Sequence, residues 1–224
     1  MKGRLDPERS RGRDAGRASR GRAAPLQPRA VVEAMNRVLP PETLIYCDIG
    51  NVTAWCVHHL ARTRPGTFHT DTVYGAMDYA IPAAIGGKRA VPDAPVCAVV
   101  GDGGALMGSV LDVFTAVEHQ IPICVVVFND GGWGMLEQGV GESPFRHAPR
   151  PSFRFQRRVD FAALARALHA RGILVRTTPE LERGLLACID ARRVTVLDVH
   201  VDPLAKAPTG GRIRHVNRHM GEGA

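Results

Sequence analysis

Short unbroken apolar runs alternate along this chain with longer stretches in which apolar residues return every three or four positions. Val96-Cys97-Ala98-Val99-Val100, preceded by Pro95, and Ile123 to Phe128 are the strongest runs. Runs of this length and content predict strands buried on both faces. Leu44 to Cys47, Phe68-His69, Ile173 to Val175 and Val194 to Val199 read as further strands. Between them, Val31, Val32, Ala34, Met35, Val38 and Leu39 predict a helix from Pro28 to Leu39, stopped by Pro40-Pro41. A second helix is expected from Asn51 through Trp55 to Leu60, capped by Asn51 or Thr53. Others cover Ile81 to Ala90, Ser109 to His119, Asp160 to Ala170 and Pro179 to Asp190. This alternation predicts an α/β fold, a mostly parallel sheet with helices on both faces. Gly139 to Arg158, polar and holding Pro144, Pro149 and Pro151, reads as a long mobile loop of the kind that serves as a lid.

With 224 residues the chain is long enough for one ample core. Its net charge of +7 suggests a nucleic-acid binder until the charge is located. Residues 1 to 29 hold nine Lys or Arg against three acidic residues, so +6 belongs to the leader and the rest is nearly neutral. Three segments follow: residues 1–27 as a disordered Arg-rich leader, 28–203 as the folded domain, and 204–224 as a loose basic tail. Nucleic-acid contact by the leader and a transit-peptide role are the lesser readings. No apolar run reaches the roughly 18 residues of a membrane span, and no secretory apolar region is visible. A soluble cytoplasmic protein is the expectation. Cys47, Cys56, Cys97, Cys124 and Cys188 show no C-x-x-C spacing, so they are expected to be reduced and buried rather than zinc or iron-sulfur ligands.

The chemistry concentrates where the two strongest strands end. Gly101-Asp102-Gly103-Gly104 follows the first and Asn129-Asp130 closes the second. A βαβ unit delivers both ends to the carboxyl edge of the sheet, where ligands of open α/β folds bind. Asp102 offers one carboxylate, and Asn129 and Asp130 an amide and a second carboxylate. Such a hard-oxygen set suits Mg²⁺ bridging to a diphosphate. Gly103, Gly104, Gly131 and Gly132 let backbone approach, and a helix starting after Gly104 offers amides to phosphate. Alone, the first motif also fits an ordinary strand-to-helix turn. No G-x-G-x-x-G opens a helix, which disfavours a dinucleotide site.

Taken together, Gly-Asp-Gly, a spacer in the high twenties and a paired Asn-Asp resemble the diphosphate-binding domain of thiamine diphosphate enzymes. The similar superfamily is that of acetolactate synthase, benzoylformate decarboxylase and pyruvate decarboxylase. Asp48-Ile49-Gly50-Asn51, Tyr74 to Ala84 and Gly132-Trp133-Gly134-Met135 extend the resemblance over Pro28 to Pro203. The resemblance implies thiamine diphosphate and Mg²⁺ as cofactors, with Asp102 as first metal ligand. Anchoring on Pro122 and Gly134-Met135 makes Asp130 the second ligand and the Gly132 carbonyl the third; counting forward from Asp102 makes it Asn129. Gly75 is implied to accept from the cofactor's 4′-amino group and Met77 to wedge between its rings, with core packing as the alternative for Met77. Gly50 and Asn51 are implied to touch the diphosphate, with Gly103, Gly104 and Trp133 also at the cofactor. Met135 and Glu137 are further candidates to face substrate. His58 and His59 read as ordinary helix residues.

In the resembling family an activating glutamate comes from a second, pyrimidine-binding domain, and the leader is too short to supply one. The expectation is therefore the diphosphate half of a split enzyme, a hetero-oligomer with a pyrimidine-binding-domain subunit. It would decarboxylate a small 2-oxo acid or pass its acyl equivalent to an acceptor. A non-catalytic or remnant cofactor-binding subunit, and the small subunit of a 2-oxo acid:ferredoxin oxidoreductase, are the alternatives.

Overall fold

A computed structural model describes residues 24–143, 147, 152–189 and 192–210. The expectations for most of the leader and for the tail beyond residue 210 lie outside the described residues.

Six strands form one all-parallel sheet in the order β2-β1-β3-β4-β6-β5. They are β1 (Leu44–Cys47), β2 (Phe68–Thr70), β3 (Val96–Gly101), β4 (Cys124–Asn129), β5 (Arg171–Val175) and β6 (Thr195–His200). Neighbouring β3 and β4 pair from Cys97 with Cys124 to Gly101 with Phe128, and β4 and β6 from Cys124 with Thr195 to Asn129 with His200. Both β3 and β4 are buried along almost their whole length, which is why they read as unbroken apolar runs.

Residues alternate between two core layers. Cys97 and Val99 face one layer with Val126, Leu197 and α1 (Pro28–Val38), α2 (Asn51–His59) and α8 (Thr178–Ile189). Val96, Ala98 and Val100 face the other with Val125, Val127 and α3 (Ala80–Ala90), α5 (Asp112–Glu118) and α7 (Phe161–Ala167). Four of the five cysteines are buried in this interior and Cys188 is half-buried; all are free thiols. Among the described residues no helix is long and apolar enough to cross a membrane.

Three expectations change. The helix read from Ser109 to His119 is a 3₁₀ turn at Ser109–Leu111 running into α5, because Gly108 at φ 146° breaks it from α4 (Asp102–Leu106). The loop read from Gly139 begins inside a helix, α6 (Gly134–Gly141). Gly50 rather than Asn51 or Thr53 is the N-cap of α2, while Thr53 Oγ1 accepts from the Gly50 amide at 3.1 Å.

Candidate functional site

The chain runs from β1 outward to β2 and then returns to the other side of β1 as β3, so the sheet reverses its winding between β1 and β3. Ligands of doubly wound sheets sit outside the carboxyl ends of the strands at such a point. A cleft of about 520 Å³ occupies this edge. Gly50, Asn51, Gly75, Met77, Asp102, Gly103, Gly104, Asp130, Gly132 and Trp133 all line it, as does Met135. Glu137 does not, and pairs instead with Arg154. His58 and His59 lie on the last turn of α2, away from the lining.

Asn129 also stays out of the cleft. It is fully buried and donates to Asp198 Oδ1 at 2.8 Å and to the Val159 carbonyl at 2.9 Å. Asp198 in turn accepts from the Phe161 amide at the start of α7. The amide nitrogen of this rival to Asp130 is thus engaged away from the cleft lining and its Oδ1 is buried without a partner, whereas Asp130 lines the opening.

Asp102 begins α4 and is 2% exposed. Its Oδ2 accepts from the amides of Gly131 at 2.7 Å and Gly132 at 3.2 Å, and its Oδ1 from Gly103 at 2.9 Å. The turn after β4 therefore closes onto the carboxylate after β3. Gly131 adopts φ 81°, the left-handed region that favours glycine. A Cβ on Gly103 would stand 2.7 Å from the Trp133 ring, so glycine there lets the indole lie against the turn.

Burial pushes the Asp102 carboxyl up to about 7, with the charge of Asp130 adding to the rise and the three amides opposing it. Asp130 is also raised by burial, against the pull of Arg154 and Arg158. Two neighbouring, largely buried carboxyls favour a cation between them, even with Arg154 and Arg158 beside Asp130. The Oδ1 atoms of Asn51 and Asp130 in the cleft lining, like that of Asn129 outside it, are buried without a hydrogen-bond partner, with Arg154 Nη1 3.5 Å from Asp130 Oδ1. Such orphaned acceptors beside paired carboxylates fit a hard divalent cation.

Asp48 has a role that nothing in its local sequence signals. Asp48 is fully buried at the end of β1; its Oδ1 accepts from the amides of Tyr79 at 2.8 Å and Ala80 at 3.3 Å, its Oδ2 from Asp78 at 3.2 Å. This holds the start of α3, and with it the loop carrying Gly75 and Met77, against the strand end. A Cβ on Gly104 would collide with the same carboxylate. Arg154 and Arg158, which reach the turn after β4, carried no sequence signal: nothing local distinguishes them from other surface arginines.

Residues 48–199 match the family described as thiamine pyrophosphate enzyme, C-terminal TPP binding domain. The chain belongs to this family. Its cofactor is accordingly thiamine diphosphate. The sulfoacetaldehyde acetyltransferase of Castellaniella defragrans is 30% identical over 78% of this chain and 29% of its own. The acetolactate synthase large subunit of Parasynechococcus marenigrum (strain WH8102) is 31% identical over 79% of this chain and 28% of its own. The crystal structure of benzoylformate decarboxylase from Polynucleobacter necessarius superposes with a TM-score of 0.74 at 25% identity, covering 82% of this chain and 34% of the other. This chain spans about a third of the length of the curated relatives it matches.

Proposed function

We propose that this thiamine diphosphate-binding domain is the diphosphate- and Mg²⁺-binding part of an enzyme that decarboxylates a 2-oxo acid or transfers its acyl equivalent. A pyrimidine-binding domain would be supplied by a partner subunit in a hetero-oligomer. The observation that carries the reading is the convergence of Asp102 and Asp130 on one cleft with orphaned acceptors beside them. Asp102, Asp130 and the Gly132 carbonyl would hold Mg²⁺, and Gly103, Gly104, Gly50 and Asn51 would flank the diphosphate. Gly75 and Met77, on the loop fixed by Asp48, would meet the aminopyrimidine and the ring junction. Bound thiamine diphosphate supplies the electron sink for loss of CO₂ from a 2-oxo acid. The chain's own part is to neutralise and orient the diphosphate, and Trp133, Met135 and Leu136 give the cleft an apolar wall that keeps water from the reacting end.

Support for a covering partner comes from the loop beside Gly75. Val73 is 98% exposed and Tyr74 is 88% exposed at the rim of the site. Two adjacent large apolar side chains left this exposed beside Gly75 support the reading that a partner covers them. The test is CO₂ release from a panel of 2-oxo acids, with this chain alone, with a subunit carrying a pyrimidine-binding domain, and with both mixed. Turnover should appear only in the mixture and saturate with partner. Robust turnover by this chain alone would remove the split-enzyme reading, and cofactor binding without turnover in any mixture would favour a non-catalytic subunit.

A further inference from the structure

The segment that the sequence marks as a lid is, in its second part, a strut fixed to the metal-site turn. Phe153 to Phe155 lies antiparallel to Gly131 to Trp133, with Gly132 bridged to Arg154. The Trp133 amide donates to the Phe153 carbonyl at 2.8 Å, and the Phe155 amide to the Gly131 carbonyl at 2.9 Å. A Cβ on Gly132 would stand 2.6 Å from the Phe153 carbonyl oxygen, so only glycine admits the strut this closely. Phe155 then meets Trp133 edge to face, with ring centroids 5.8 Å apart.

The carbonyls of this turn are used selectively. Asn129 O accepts from Arg158 Nη1 at 2.5 Å and from the Val201 amide at 3.1 Å. Asp130 O accepts from Arg154 Nη1 at 3.2 Å, and Gly131 O from Phe155. Among the described residues no donor reaches the carbonyl of Gly132, a residue of the cleft lining. The strut thus occupies the Asp130 and Gly131 carbonyls, Arg158 and Val201 take that of Asn129, and the fourth stays open.

Arg154 joins the separate parts. Its Nη2 donates to the Pro203 carbonyl at 2.9 Å and pairs with Glu137 on α6, while Nη1 holds the Asp130 carbonyl. Nη1 also lies 3.5 Å from Asp130 Oδ1, near enough to favour its charge and too far for a good hydrogen bond. A planar guanidinium has the several fixed donors this needs, and an ammonium does not.

We propose that Arg154 is a positioning residue for the metal-bound diphosphate. It clamps the turn after β4 to α6 and to the chain after β6, so that the Gly132 carbonyl and the free Asp130 oxygen stay open to a cation. This rests on the cofactor-site reading above. The test compares wild type with Arg154→Met, Arg154→Lys and Glu137→Gln. Calorimetry measures Mg²⁺–pyrophosphate and Mg²⁺–thiamine diphosphate binding, and the apparent Kd for Mg²⁺ is read at fixed pyrophosphate; each ligand-free protein is also melted. Arg154→Met should weaken both complexes by the same factor, about 10- to 100-fold, the range for groups that orient metal ligands. The apparent Kd for Mg²⁺ should rise in step, with Arg154→Lys recovering only part and Glu137→Gln losing less. Should Arg154→Met fail to fold, the same ordering in the other two variants decides. Wild-type affinity or tighter Mg²⁺ binding in Arg154→Met would overturn the proposal, the latter by showing that the arginine competes with the cation. So would weakened binding with an unchanged Mg²⁺ dependence, which is the mark of a merely structural loss. Failure of wild type to bind either complex would overturn the cofactor-site reading itself, and this proposal with it.

Discussion

The carboxylate after β3 is held wholly by backbone amides, whereas the turn after β4 is braced by side chains from a distance. Asp102 is the first residue of α4, fixed by the amide of its neighbour Gly103 and by those of Gly131 and Gly132 across the site, and it is almost fully buried. Asp130 stands on a turn braced by Arg154 and Arg158 from more than twenty residues along the chain, and it opens to the cleft. The first carboxylate needs only main-chain donors from two glycine turns; the second turn needs two particular guanidinium groups. On the proposed metal-site reading, the placement of the second set of acceptors depends on Arg154 and Arg158.

The contrast is sharpest under substitution. Asp102→Ala should weaken Mg²⁺-dependent cofactor binding by at least about 100-fold, since groups one step further out already cost 10- to 100-fold; calorimetric titration checks this. Asn129→Ala and Asp130→Ala should then separate support from ligation. Asp130→Ala should cost the larger part of cofactor affinity. Asn129→Ala should cost mainly stability, about 1–3 kcal/mol by denaturant titration, because buried Asp198 loses a donor. The reverse ordering would mean that the two positions exchange roles.

A smaller effect is expected from Gly103→Ala, whose new Cβ forces the Trp133 ring away from the turn. Overpacking of this kind costs about 1–3 kcal/mol, visible as a lower melting temperature and a change in tryptophan fluorescence. Unchanged fluorescence would show that the indole does not lean on the turn.

A further predicted effect is on pH dependence. The folded Asp102 carboxyl is raised to about 7 from an ordinary value near 4, so the folded state holds a proton that the unfolded chain releases. The stability tied to this group is full below about pH 4 and is lost as pH rises towards 7. With a chelator present, melting should fall from pH 5 to pH 8. Saturating Mg²⁺ and thiamine diphosphate should flatten or reverse the slope, because the cation binds the ionised pair. A chelator-insensitive profile would break the comparison at its electrostatic end.

The parts legible in the sequence were those fixed locally. The unbroken runs of β3 and β4 reported strands covered on both faces, and Gly101 to Gly104 reported the turn that follows. Helix α6 was hidden because Gly134, Gly139 and Gly141 lower helix propensity and it buries no residue fully. The register between Asn129 and Asp130 stayed open in one dimension, since both are oxygen donors at a strand end. Only the partner Asp198, 69 residues away, shows where the amide goes. The lid reading of residues 139–158 missed Arg154 for the same reason: its contacts span α6, the turn after β4 and the chain after β6.

The central claim is that two strand ends form one metal-dependent diphosphate site. Titrating the wild-type chain with thiamine diphosphate, first in excess Mg²⁺ and then in excess chelator, tests it most directly. The account predicts saturable binding with Mg²⁺ and its loss, by at least about 100-fold, with chelator. Equal affinity in the two conditions would contradict it, because the facing carboxylates of Asp102 and Asp130 would then have no cation to hold.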